Sequence, residues 1–373
     1  MMSIKAIKVA VIGCGISGAV CASTLAKNGI SVTVFDSGRG PGGRMSQRRE
    51  IAEDGRELLF DHGAPYFTVS NHEVLGLVQE WESSGIVAPW NEKFGSFDFS
   101  SKKFLNLEEE EAPTQKYVGV PGMNSICHAL SAEPGVTSRF AQSVARVEWL
   151  ASEDSWSLTG INGEDLGQFE GVVACDRNCF FSRFANAAGS PTPFDLSMEP
   201  ELASQLKDIT DISCYTVMLA FEQPLTSIPI KGISFKNSEI LSSAYCDSSK
   251  PWRSDSSEMW VLHSTVKYAE DIIVQCGLRR PSIAMLSKVA EELLQELQRT
   301  GLHIPRPFFL KAHGWGSAFP SKTTAAQEKC LWNGNKRQAI CGDFCVSLNV
   351  EGAILSGLAA ASKFTELISS NNS

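Results

Sequence analysis

Val9-Ala10-Val11-Ile12-Gly13-Cys14-Gly15-Ile16-Ser17-Gly18, closed by Ser31-Val32-Thr33-Val34-Phe35-Asp36, decides the fold. It reads as a strand, a glycine turn, a helix and a second strand ending in an acid. Gly13 permits the tight turn, Gly15 lets the backbone approach a pyrophosphate, and Gly18 lets the helix pack close to the strand. The helix start points unpaired N–H groups and a partial positive charge at the phosphates. Asp36 is placed to accept hydrogen bonds from ribose hydroxyls. A lone G-x-G-x-x-G is weak evidence, but here both strands, the helix and the acid agree, and the unit reads as dinucleotide-binding.

A second glycine-rich segment follows, Ser37-Gly38-Arg39-Gly40-Pro41-Gly42-Gly43-Arg44-Met45. A nicotinamide dehydrogenase normally runs from the acid into a helix. This chain instead lays a flexible basic loop beside the first site. Gly42 and Gly43 permit close backbone approach, and Arg44 is suited to charge-assisted hydrogen bonds with phosphate. Arg48 and Arg49 read as a solvated basic turn.

Composition narrows the classes. The 373 residues suffice for two domains, and 43% hydrophobic with 20% charged residues is ordinary for a globular protein. The net charge of −9, with no basic stripe, argues against nucleic acid or anionic lipid as partner. No apolar run reaches the roughly 18 residues of a membrane helix. The acidic run Glu108–Glu111 reads as a solvated loop. Eleven cysteines occur without a C-x-x-C pair or matching histidines, so no metal site is expected and a reducing compartment is. The first strand begins almost at once, with no visible signal or transit peptide. The expectation is a soluble intracellular protein, cytoplasmic or, with a presequence lying outside this sequence, plastid or mitochondrial.

Further along, His72 to Ser84 looks helical, with Val74, Leu75, Val78 and Trp81 on one face. Residues 90–118 read as short strands and loops, and Gly119-Val120-Pro121-Gly122-Met123-Asn124 opens a helix. Residues 137–160 alternate like strands, with a turn at Asn162-Gly163. Further strands are expected at 169–175, 213–222, 259–263 and 308–315, and an amphipathic helix from Ile283 to Gln298. Gln338-Ala339-Ile340-Cys341-Gly342-Asp343 is an apolar strand ending in Gly-Asp, and Asn349-Val350-Glu351-Gly352-Ala353 opens the last helix. The fold class is α/β: a discontinuous Rossmann-type domain (1–75, 119–205, 329–373) with a mixed-sheet α+β substrate domain (76–118, 206–328).

These segments, in this order, resemble the renalase-like FAD oxidoreductases within the monoamine-oxidase-like flavoprotein group. The resemblance rests on the first glycine motif, Gly42-Gly43-Arg44-Met45, Asp61-His62-Gly63-Ala64-Pro65-Tyr66-Phe67, Pro121-Gly122-Met123, Trp260-Val261-Leu262-His263-Ser264-Thr265, His313-Gly314-Trp315, Gly342-Asp343 and Glu351-Gly352-Ala353. It implies non-covalent FAD held by Gly13, Gly15, Ser17, Gly18, Asp36, Arg39, Gly43, Arg44, Met45, Gly63, Ala64, Val144, Gly342, Asp343, Glu351 and Gly352. It further implies hydride transfer from a small-molecule donor, an aberrant NADH or NADPH isomer, with O2 as acceptor. His263, Trp315 and Tyr66 are then the substrate-side candidates, with His313 in reserve. The plainer reading of each is packing. Asp36 stands where the group more often has Glu. Glycines flank Trp315 where relatives place larger basic residues. No lysine occurs from Val217 to Phe221, where several amine oxidases carry one, and no flavin-attachment segment is seen. Alternatives are an amine oxidase or a polyene/porphyrin desaturase on the same fold, a flavin-binding redox sensor or assembly partner without turnover, and an NAD-only dehydrogenase. Oligomeric state is not readable.

Overall fold

The computed structural model describes residues 7–106, 114–180, 192–253, 257–276 and 281–371. The acidic run Glu108–Glu111 lies outside them.

The chain begins with β1 (Lys8–Ile12), α1 (Ile16–Lys27) and β2 (Ser31–Phe35), the expected βαβ unit. A hairpin follows, β3 (Gln47–Ile51) against β4 (Glu57–Asp61). Arg48 and Arg49 are therefore strand residues, not a basic turn. They pair with Glu50 and Glu57 at 2.7 and 2.6 Å, which neutralises the charge that suggested a solvated loop. Next come β5 (Phe67–Thr68), α2 (His72–Ser83), β6 (Val87–Pro89), β7 (Phe94–Asp98), β8 (Lys103–Asn106), β9 (Lys116–Gly119) and α3 (Ser125–Ser131). β10 (Val136–Arg139), β11 (Val144–Leu150), β12 (Ser155–Gly160), β13 (Asp165–Phe169) and β14 (Gly171–Ala174) complete the first half.

The second half contains β15 (Asp211–Phe221), β16 (Gly232–Lys236), β17 (Leu241–Cys246) and β18 (Glu258–Ser264). Helices Val266–Cys276 and Ile283–Gln298 follow, then β19 (Phe309–Pro320), β20 (Leu331–Asn333), β21 (Gln338–Ile340) and the terminal helix Val350–Asn371.

Two sheets organise these pieces. The first has the order β10-β2-β1-β14-β21-β20, parallel except for β20. Its central strands are buried on both faces, which is why they read as continuous apolar runs. The second has the order β19-β15-β18-β17-β16-β7-β8, largely antiparallel, with β7 joining β16 in parallel. Helices Val266–Cys276 and Ile283–Gln298 cover one face of it through Ile272, Leu293 and Leu297.

One expected boundary moves. Val74, Val78, Trp81, Val87 and Trp90 join the apolar core of the dinucleotide sheet. Of the expected substrate segment 76–118, the β7–β8 hairpin joins the second sheet, while α2, β6 and β9 stay with the first unit. The amphipathic face of α2 is satisfied there by the first unit's core rather than by the second sheet. Among the described residues no helix is long and apolar enough to cross a membrane.

Candidate active site

The C-terminal ends of β1, β14 and β21 open on a cavity of about 460 Å³ that continues against β15, β17, β18 and β19. This is where parallel α/β sheets place ligands. The volume falls within the usual range for small-molecule sites, roughly 300–1,000 Å³.

The glycine turn is built by close approach. A Cβ on Gly18 would stand 2.0 Å from the Gly13 carbonyl oxygen, so α1 packs on the turn only because that position lacks a side chain. A Cβ on Gly15 would meet nothing within 4 Å. Its missing side chain serves the open space ahead, the room a pyrophosphate needs. Gly15 caps α1 without any side-chain hydrogen bond to the first turn, and Gly15, Ile16 and Ser17 line the cavity. The free N–H groups of α1 thus face the space. The second glycine loop docks beside the first, with Gly42 N–H donating to the Cys14 carbonyl at 2.8 Å.

Asp36 accepts from Cys14 N at 2.6 Å and Gly38 N at 2.7 Å. Burial pushes its carboxyl above the ordinary aspartate value, and those two N–H groups pull back. A carboxylate keeps further lone pairs for two ribose hydroxyls. The residues present therefore fit a dinucleotide.

Arg44 binds Asp343 through two parallel contacts, Nη1 to Oδ2 at 2.6 Å and Nη2 to Oδ1 at 2.8 Å. Burial opposes the guanidinium charge, but Asp343 outweighs it, and the arginine is held above its usual value. Nη1 also reaches the Ala318 carbonyl at 3.3 Å. The two residues expected to serve the cofactor separately thus meet in the cavity, and the guanidinium still has N–H donors beyond these contacts.

Beside Arg44 runs a wall, Gly63-Ala64-Pro65-Tyr66, tied on by Ala64 N–H donating to the Arg44 carbonyl at 2.9 Å. A Cβ at Gly63 would lie 2.0 Å from the Arg44 carbonyl oxygen and 3.3 Å from Trp315 Cζ2. The absence of a side chain there lets this segment pack directly on the Arg44 backbone and the Trp315 ring. Trp315 donates its indole N–H to the His62 carbonyl at 3.2 Å, fixing the ring beside this wall. Tyr66 and Tyr245 meet edge to face, with ring centroids 5.7 Å apart. His263 lies 5.9 Å from Tyr245, centroid to centroid, and its Nδ1 is 3.4 Å from Ser243 Oγ. Burial pushes His263 down to about 4, so its ring is neutral at neutral pH. Thr216, Ser242, Ser243 and Ser264 add hydroxyls.

Of the expected site residues, Gly15, Ser17, Arg44, Met45, Gly63, Ala64, Tyr66, His263, Trp315, Gly342 and Asp343 line this one cavity. Gly13 and Gly18 lie beneath it as the turn's framework. Gly43 packs against Gly15, where an added Cβ would lie 3.3 Å from the Gly15 Cα, and Arg39 is exposed. Val144 starts β11 and packs on the far face of the dinucleotide sheet.

Glu351 is a correction. Its carboxylate accepts from Ser70 N and Asn71 N, both at 2.6 Å, and so ties down the entry to α2 rather than facing the cavity. An acid there is favourable because it meets the positive end of a helix. Gly352 N–H is taken by Asn349 Oδ1 at 2.7 Å, which caps the terminal helix. Asn349 and Val350 line the cavity in place of Glu351 and Gly352.

Sequence reasoning missed Tyr245, Ser243 and Thr216, which sit on strands that carry no motif. It also missed a buried ion network behind the Gly63 wall. Lys250 Nζ lies 2.8 Å from Asp61 Oδ2 and 2.5 Å from Asp247 Oδ1, and Arg253 also binds Asp61. Nothing in the spacing of Asp61, Asp247, Lys250 and Arg253 announces a contact between two domains.

The geometry has counterparts. A family model described as an NAD(P)-binding Rossmann-like domain matches residues 11–81. Among solved structures, a protein from Exiguobacterium sp. 255-15 described as a candidate protoporphyrinogen oxidase superposes with a TM-score of 0.70 at 10% identity, covering 98% of this chain and all of that one. A putrescine oxidase redesigned in cofactor binding gives 0.65 at 12% identity, covering 98% of this chain and all of that one. This is the fold of the amine-oxidase-like flavoproteins. An oxidoreductase from Methanosarcina mazei shares it, with a TM-score of 0.64 at 12% identity over 94% of this chain and 99% of that one. Mitochondrial protoporphyrinogen oxidase of Nicotiana tabacum is 40% identical over 71 residues, 19% of this chain and 13% of that protein. The family model thus covers the dinucleotide segment, while the shared fold spans the chain.

Proposed function

We propose that the chain is an FAD-dependent oxidoreductase that oxidises a dihydronicotinamide dinucleotide, an abnormal isomer of NADH or NADPH, with O2 as final acceptor. When bound, FAD supplies the acceptor for a hydride. The chain's own residues bind, orient and insulate. The N–H groups of α1 and the spare donors of Arg44 meet the pyrophosphate. Asp36 takes the ribose. The side-chain-free wall at Gly63 receives a flat ring system. Tyr66, Tyr245 and Trp315 then hold a planar donor against that face. Neutral His263 with Ser243 supplies hydrogen bonds to a carboxamide. No proton has to be removed by a side chain, which suits a site whose histidine is kept uncharged.

The observation that carries this reading is the charge of the cavity lining. Among the described residues that form it, the only charged side chains are Arg44 and Asp343, and they neutralise each other. A neutral nicotinamide ring fits such a lining. An ammonium group would find its one carboxylate already paired with Arg44. The second reading, an amine or porphyrinogen oxidase, has in its favour the names its structural relatives carry.

Peroxide release from a panel of donors tests the choice. Isomerised NADH should give peroxide, while β-NADH, putrescine and protoporphyrinogen should not. Peroxide from putrescine or protoporphyrinogen alone would replace this reading with the second.

A further inference from the structure

The floor of the cavity holds a pair of thiols that hydride transfer does not use. Cys175 follows β14 and Cys341 follows β21, one residue beyond the paired positions Ala174 and Ile340. The register continues through them, with Cys341 N–H donating to the Ala174 carbonyl at 3.0 Å. The two sulfurs lie 3.3 Å apart. Both cysteines are free. Neighbouring strands run about 4.8 Å apart. That spacing lies inside the range of roughly 4.4–6.8 Å between Cα atoms that a disulfide bridges. Cys175 is half-buried and lines the cavity, whereas Cys341 is fully buried behind it. Ser17 Oγ, in the first turn of α1, donates to Cys341 Sγ at 3.2 Å.

We propose that Cys175 and Cys341 are a redox modification site, oxidised by hydrogen peroxide to a reversible disulfide beneath the dinucleotide. The accessible sulfur reacts first. Cys175 attacks one peroxide oxygen, the O–O bond breaks, and a sulfenic acid forms with release of water. The Cys341 sulfur then attacks the Cys175 sulfur, the S–O bond breaks, the S–S bond forms and a second water leaves. Two thiols lose two electrons and two protons, and one peroxide becomes two waters. The sulfurs close from 3.3 Å to about 2.05 Å, a movement that side-chain rotation can supply. Burial, reinforced by the neighbouring Cys341, holds the Cys175 thiol well above its ordinary value. The reaction therefore quickens as pH rises, by roughly tenfold per unit while the thiol remains mostly protonated. The site is independent of which donor the cavity accepts, because it needs only peroxide at Cys175, and a dinucleotide bound over that sulfur slows it.

The full-length protein is treated with hydrogen peroxide at pH 7, 8 and 9, quenched with iodoacetamide under denaturing conditions, and mapped by mass spectrometry without reduction. A single cross-link joining the Cys175 and Cys341 peptides, reversed by dithiothreitol and forming faster at each higher pH, is expected. The C341S variant should instead leave Cys175 as a sulfenic acid that a 1,3-dione traps. The wild-type map stands alone if that variant does not fold. Carbamidomethyl groups on both cysteines after peroxide, or a link from either one to buried Cys21 or Cys330, would overturn the assignment.

Discussion

Asp61→Asn should destabilise the protein by about 3–5 kcal/mol, the usual cost of removing one partner from a buried ion pair. The figure follows from the burial of the network. Asp61 and Lys250 side chains are 0% exposed, Asp247 is 1% and Arg253 4%. Two carboxylates and two cations balance. Asparagine keeps the shape and still accepts the Met123 N–H that Asp61 takes at 3.1 Å. It leaves two buried cations against one carboxylate. Lys250→Met alone leaves the opposite imbalance. The double variant returns to one cation and one carboxylate, so it should be more stable than the sum of the singles by at least about 2 kcal/mol. Urea unfolding followed by tryptophan fluorescence measures all four proteins. Purely additive losses, or a loss below about 1 kcal/mol for Asp61→Asn, would refute the claim that these charges compensate one another. The pH dependence gives a second check. Burial raises the Asp61 carboxyl, but Lys250 and Arg253 outweigh it and hold it below the ordinary value. Its contribution is therefore complete above the unfolded aspartate value, near about 3.9, and is lost as pH falls through the lower folded value. Asp247 runs the other way. Burial, with Asp61 beside it, holds its carboxyl up, so its share is complete at low pH and lost as pH rises through the folded value. Asp61→Asn should remove the first dependence and weaken the second, because one of the charges that holds the Asp247 carboxyl up goes with it.

Gly18→Ala should abolish dinucleotide retention and cost at least about 1–3 kcal/mol, because its Cβ would meet the Gly13 carbonyl oxygen at 2.0 Å. Flavin content and the thermal midpoint of the purified variant report both. Trp315→Ala should slow flavin reduction by the donor at least tenfold while flavin content stays near one per chain, since the indole holds the donor side of the Gly63 wall. Unchanged reduction kinetics would return Trp315 to packing. Glu351→Gln should cost about 0.5–1 kcal/mol through the start of α2 and leave flavin affinity within twofold. Loss of flavin would restore the flavin-clamp role the sequence suggested.

Legibility in the sequence depends on how locally each feature is encoded. The βαβ unit is written in a contiguous stretch, and its glycines state their own steric reasons, so the sequence alone places the turn, Asp36 and the Arg44 loop. The amphipathic helix Ile283–Gln298 is equally plain, because 3.6-residue periodicity survives in one sequence. β16 and β17 escape such a reading. They are short and interrupted by polar residues, and β17 is held by its neighbours rather than by its own pattern. That omission hides Tyr245 and Ser243. The direction of a side chain is less legible still. Glu351 lies in a segment that borders the cavity, yet it turns to the N–H groups of Ser70 and Asn71 across the fold. The Arg44–Asp343 fork joins residues 299 positions apart, and the Asp61–Lys250 pair spans 189. Such contacts are set by tertiary packing, which spacing along the chain does not carry.

The central claim is that this charge-balanced cavity presents a donor with a planar, uncharged reacting ring to a bound flavin. Anaerobic stopped-flow bleaching of the flavin-loaded protein near the oxidised-flavin absorption, about 450 nm, tests it most directly. The purified protein is mixed in turn with isomerised NADH, pure β-NADH and a primary amine. Rapid bleaching by the isomerised NADH alone is the predicted result. Bleaching by the amine alone, or by none of the three with flavin bound, would contradict the account.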